Sequence, residues 1–123
     1  MRTTMEKTFK GNFEITLVKK TGKRRIPHTR QWREVTTTST YVKGLDNVDF
    51  FMYNDFGDRC VSYSLDVLND NEVELLKSKI SGDTSKYDKM KYGEREARLF
   101  NDSTLFVELA KAYTEWYGVE VRD

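Results

Sequence analysis

Between Phe13 and Leu17 every second residue is large and apolar. Phe13, Ile15 and Leu17 alternate with the polar Glu14 and Thr16. A period of two marks a strand with one buried face, and it predicts a first strand over residues 9–20. Thr21-Gly22-Lys23 opens a basic connection that runs through Pro27 to Thr29. Residues 30–42 are rich in β-branched and aromatic side chains, which predicts a second strand paired to the first. After the turn Lys43-Gly44-Leu45-Asp46, a third strand over 47–54 places Val48, Phe50 and Met52 on one face and Asp49, Phe51 and Tyr53 on the other. Asp55-Phe56-Gly57-Asp58 is a tight hairpin signal, because glycine accepts the positive φ of short loops. A fourth strand follows over 59–65.

Beyond residue 68 the period becomes helical. Asn69-Asp70-Asn71 offers N-caps, with Glu74 in capping-box register to Asn71. Val73, Leu76 and Ile80 share one helical face, and Gly82 suits a C-terminal cap. Residues 82–93 look irregular. A short helix is expected over 94–100 and a longer one over 104–117, whose stripe includes Leu105, Leu109, Tyr113 and Trp116. Gly118 ends it, and residues 119–121 suit an edge strand. The expected fold class is α+β: a four-stranded antiparallel β-meander followed by two or three C-terminal helices packed on one face. No repeat or linker interrupts the 123 residues, so they read as one domain.

Charge adds what periodicity does not show. Residues 1–43 carry eleven Lys/Arg against three Asp/Glu, and residues 44–76 carry one against eight. The formal net charge of +1 therefore hides a basic third beside an acidic one. Lys19, Lys20, Lys23, Arg24, Arg25 and Arg30 fall within twelve residues, with Arg33 continuing the stripe along the second strand. Such a block suits an anionic partner, either nucleic-acid phosphate or an acidic protein surface. A two-stranded ribbon carrying it resembles the β-ribbons that probe nucleic-acid grooves.

A second candidate is the sheet face away from the helices. Parity assigns Phe51 and Tyr53 to it, and Trp32 is expected to join them among Thr16, Thr36, Thr38, Ser62 and Ser64. Aromatic side chains on a polar sheet face stack unpaired bases, and they also serve protein or dimer interfaces. A third candidate is the acidic group Asp46, Asp49, Asp55, Asp58, Asp66, Asp70, Glu72 and Glu74. Turn and cap chemistry accounts for several of these, and the spacing is not that of a calcium loop. Pairing with the basic tip, within or between copies, is the better use for them. Tyrosines and lysines interleave over residues 86–98, where Gly93 before a helix start could offer N–H groups to an anion.

One cysteine, Cys60, and one histidine, His28, exclude an intrachain disulfide and a Cys/His zinc site. No nucleophile elbow, phosphate loop or metal-ligand cluster is present, so the chain reads as a non-enzymatic binding protein without metal or cofactor. The absence of a long apolar run and of a leader pattern sets the expectation of a soluble, cytoplasmic protein away from membranes. Nucleic-acid binding through the basic hairpin is the first expectation. The alternative is a protein-interaction module or inhibitor, with a homo-oligomer as one form of it. A weaker option is an oligomer that holds a small phosphorylated ligand between subunits. Small size, high charge and high aromatic content without a catalytic motif are reminiscent of phage or mobile-element accessory proteins, which favours an inhibitor of a host protein.

Overall fold

A computed structural model describes residues 3–65 and 67–123. The order is β1 (Thr3–Lys10), β2 (Glu14–Arg25), β3 (Trp32–Val42), β4 (Val48–Asp55), β5 (Asp58–Leu65), α1 (Asp70–Ser78), a 3₁₀ turn at Ser85–Lys89, α2 (Glu94–Asp102) and α3 (Leu105–Tyr117). Strands precede helices, which is the α+β class read from the sequence. Asp66, counted with the acidic residues above, lies outside the described residues.

The strands form two sheets, β1-β2-β3 and β4-β5, all pairs antiparallel. Two local features separate this from one four-stranded meander. Gly11 and Asn12 break the expected first strand in two: the Gly11 N–H bonds the Phe13 carbonyl at 3.1 Å, and β1 folds back along β2 from Thr3↔Thr21 to Lys10↔Glu14. The second is the turn Val42–Leu45, closed by Leu45 N–H to Val42 O at 3.0 Å with Gly44 at φ +88°. Positive φ at the third turn position is the type II geometry that glycine permits. A Cβ on Gly44 would also stand 2.6 Å from Leu75 Cδ2. Leu45 enters the core, and β4 leaves to pair with β5 alone.

Apolar residues from both sheets and all helices meet in one core. The Phe100 ring of α2 packs edge-on against Phe50 at 5.6 Å and Tyr63 at 4.8 Å, and tilted on Phe106 of α3 at 5.8 Å. Buried aromatic pairs of this geometry contribute beyond their area. Farther along α3, Tyr113 hydrogen-bonds Thr40 of β3. One helix thus touches both sheets, with Phe106 on Tyr63 of β5, Glu108 on Phe13 at the entry to β2 and Tyr113 on Thr40 of β3.

Of the three caps offered by the sequence α1 uses Asn69, and the capping box pairs it with Glu72 instead of Asn71 with Glu74. Asn69 accepts from Glu72 N–H at 2.9 Å, and the Glu72 carboxylate accepts from Asn69 N–H at 2.9 Å. Arg122 N–H bonds Arg59 O at 2.7 Å and Val61 N–H bonds Arg122 O at 3.1 Å, so the C-terminal segment makes a single bridge on the β5 edge. No helix among the described residues is long and apolar enough to cross a membrane.

Candidate functional site

Strands β2 and β3 pair one to one from Ile15↔Val42 to Arg25↔Trp32, with no bulge. Alternation along the pair therefore holds for its whole length. Ile15, Leu17 and Val42 are buried beneath the helices, which fixes the helix-side face. Along β2 that face continues through Lys19, Thr21, Lys23 and Arg25. Along β3 it runs back from Val42 through Thr40, Thr38, Thr36 and Glu34 to Trp32.

Past Val18 no β2 residue is buried. The hairpin leaves the core as an arm, and the seven residues beyond Val18, Lys19 to Arg25, carry it about 23 Å. It is three strands wide as far as Thr21, where β1 begins, and two beyond. Its tip is a closed loop. Ile26 N–H bonds Gln31 O at 2.9 Å, and Thr29 N–H bonds Ile26 O at 3.2 Å across Pro27 and His28. His28 has φ +63°, the left-handed residue that a proline-led type II turn requires. Arg25 Nε donates to Thr29 O at 2.8 Å and ties the last β2 residue to this loop.

The seven predicted basic residues are all exposed on the arm and sort by face. Lys19, Lys23 and Arg25 lie on the helix-side face, and Lys20, Arg24 and Arg33 on the outer one. Arg30 stands in the tip loop. Arg24 and Arg33 are direct cross-strand partners. Among the described residues none of the seven forms an ion pair, although Lys7, Lys77, Arg95 and Arg122 all do. Glu34 stands on the arm opposite Lys23, while the members of the acidic middle group that make contacts make them elsewhere. Asp58 pairs with Arg122 at 3.0 Å, and Glu72 is buried on Asn47 and Asn69.

The three predicted aromatic residues are not brought together. Phe51 and Tyr53 are exposed on the outward face of β4, as parity assigned them. Trp32 stands on the other sheet, on the helix-side face near the arm's tip, because even-numbered β3 residues share the face of Val42. Thr36 and Thr38 go with it. Tyr53 lies opposite Cys60, whose thiol is the first cause holding its phenol above the ordinary range, followed by loss of hydration and Asp55.

Two features escaped the sequence. At the base of the arm, a hollow of about 390 Å³ is lined by Met5, Lys19, Thr36, Thr38, Trp116 and Tyr117. The end of α3 forms its far wall, where Trp116 both packs against the core, as its place in the helical stripe predicts, and faces the hollow beside Tyr117. The second is Phe56, fully exposed in the β4–β5 turn with φ +48°. Elsewhere the structure removes candidates. Tyr87 is buried and donates to Asp102, and the Gly93 N–H goes to the Glu96 carboxylate at 3.3 Å, not outward to an anion. Among the described residues no group of three or more His, Cys, Asp or Glu is placed to hold a metal ion. No protein-family model, curated protein or solved structure matches the chain.

Proposed function

We propose that this protein binds nucleic acid through the β2–β3 arm, by phosphate contacts from Lys19, Lys20, Lys23, Arg24, Arg25, Arg30 and Arg33. One observation carries the reading: the arm buries nothing beyond Val18, yet it concentrates seven cations, none in an ion pair among the described residues and only Lys23 with a carboxylate, Glu34, directly across the strands. Like charges directly across a strand pair are destabilising, so Arg24 opposite Arg33 works against the hairpin that carries it. A polyanion relieves that repulsion and releases its own counterions on binding. The closed tip loop holds the ribbon in one shape, which lowers the ordering cost of binding.

The test is binding to labelled single- and double-stranded oligonucleotides across a salt series, with Lys23/Arg24/Arg25→Ala beside the parent. Affinity should fall steeply with salt, and each lost phosphate contact should lower the slope by about 0.7 to 0.9. Absence of binding at low salt, or equal binding by the triple variant, would overturn the reading.

A second reading, a protein-interaction module, is favoured by Phe56. A bulky side chain that is both fully exposed and in a left-handed backbone has no use in the fold. With exposed Phe51 and Tyr53 it gives the β4–β5 hairpin an aromatic surface for an acidic-tolerant protein partner or a second copy.

A further inference from the structure

We infer that the helix-side face of the arm is built for single-stranded nucleic acid, with Trp32 as a stacking platform for an unpaired base. The inference rests on the nucleic-acid reading above and sharpens its ligand class. The two faces of the arm differ in chemistry. Past Val18 the outer face carries Lys20, Arg24 and Arg33 around Gly22 and Val35, cations with no aromatic side chain. The helix-side face pairs a β2 row of Lys19, Lys23 and Arg25 with a β3 row of Trp32, Glu34, Thr36 and Thr38. Trp32 is the direct cross-strand partner of Arg25 and is 63% exposed. Three cations against the single Glu34 leave this face electropositive.

A duplex gives such a face only its backbone, because its bases are stacked on one another. An unpaired base offers its π-face to an indole while its phosphate reaches an adjacent cation. The seven residues from Trp32 to Thr38 span about 20 Å, the reach of a short single-stranded segment. At the far end of that track lies the hollow where Tyr117 and Trp116 face Lys19, Thr36 and Thr38. Its volume of about 390 Å³ is within the range of small-molecule sites, so it accommodates a second base. The track thus runs from one aromatic station to another, with Lys23, its cross-strand partner Glu34 and the threonine hydroxyls between them.

The experiment titrates the full chain with oligothymidylate, oligouridylate and a duplex of equal length, reading anisotropy and tryptophan fluorescence. Parent, Trp32→Phe and Trp32→Ala are compared. Single strands should bind more tightly than duplex and quench part of the fluorescence. That part should be missing in Trp32→Phe, which keeps most of the affinity. Trp32→Ala should weaken single-strand binding about 5- to 100-fold, the equivalent of one stacked base, while the salt slope stays unchanged. The two oligonucleotide sugars separate RNA from DNA as the source. Salt-dependent binding without single-strand preference, with Trp32→Ala equal to the parent, overturns this inference and leaves the arm a phosphate reader. Failure of all three ligands to bind at low salt overturns the nucleic-acid reading itself.

Discussion

Arg24 and Arg33 stand directly opposite each other across the β2–β3 hairpin, two like charges on the outer face of an arm that buries nothing around them. Folding gains nothing from this pair. Replacing one member by an acid should therefore strengthen the hairpin: Arg33→Glu creates an opposite-charge cross-strand pair and should raise stability by about 0.2–1 kcal/mol. The same change should weaken oligonucleotide binding at low salt. Urea midpoints and dissociation constants measured on one preparation check both. A variant that is less stable than the parent would mean that Arg33 has a structural role.

Phe56 presents a related conflict in the β4–β5 turn. Its neighbour Gly57 has φ +90°, so both central residues are left-handed, as a two-residue hairpin loop of the primed type requires. Asparagine and glycine adopt that geometry readily, and phenylalanine does not. Phe56→Asn should raise stability by roughly 1 kcal/mol, seen as a higher thermal midpoint. Nucleic-acid binding should not change, since the turn belongs to the other sheet. A fall in midpoint would place Phe56 in a contact that matters to the fold.

Glu72 is 2% exposed, and its carboxylate takes three N–H groups: Asn69 N at 2.9 Å, Asn47 N at 3.2 Å and Asn47 Nδ2 at 3.1 Å. It joins the start of α1 to the chain that enters β4. Glu72→Ala strands these donors and should cost on the order of 2–4 kcal/mol, since each unsatisfied group carries its own desolvation penalty. Glu72→Gln keeps one acceptor oxygen for part of this set and should cost less. Denaturant titration of both variants orders them. Equal losses would show that negative charge, not hydrogen bonding, is what the site needs.

Periodicity carried most of the fold because the strands and α3 each bury a regular stripe. Ile15, Leu17, Val48 and Phe50 fall on the faces that alternation assigns them. It could not reveal that β1 precedes β2. On that edge strand only Phe9 packs against the core, and Gly11-Asn12 is a short signal inside a longer alternating run. The split into two sheets is decided by one turn, where Gly44 lies against Leu75, a contact far apart in sequence. The cations of the arm were legible as a charge block, and the antiparallel register then dealt them to two faces. Trp32 was misplaced for a physical reason: parity relative to Phe51 does not carry from one sheet to another. The hollow at the arm's base depends on where the end of α3 docks, and no local pattern encodes that.

Two tyrosines, Tyr87 and Tyr113, should make the stability of the fold fall at alkaline pH. Burial, first, pushes the phenols of Tyr87 and Tyr113 up to about 12. The Asp102 hydrogen bond adds to this at Tyr87, whereas the Thr40 hydrogen bond opposes it at Tyr113. In the unfolded chain both lose their protons near pH 10. Above about pH 10 the unfolded state therefore binds fewer protons than the folded one, and stability falls as pH rises toward 12. Below about pH 10 the contribution is complete, so the urea midpoint should be flat on that side with respect to these groups. Tyr113→Phe should remove part of the alkaline slope, while the lost Thr40 hydrogen bond costs about 0.5–1.5 kcal/mol at neutral pH. A midpoint that falls as steeply in Tyr87→Phe/Tyr113→Phe as in the parent would locate the alkaline transition in other groups.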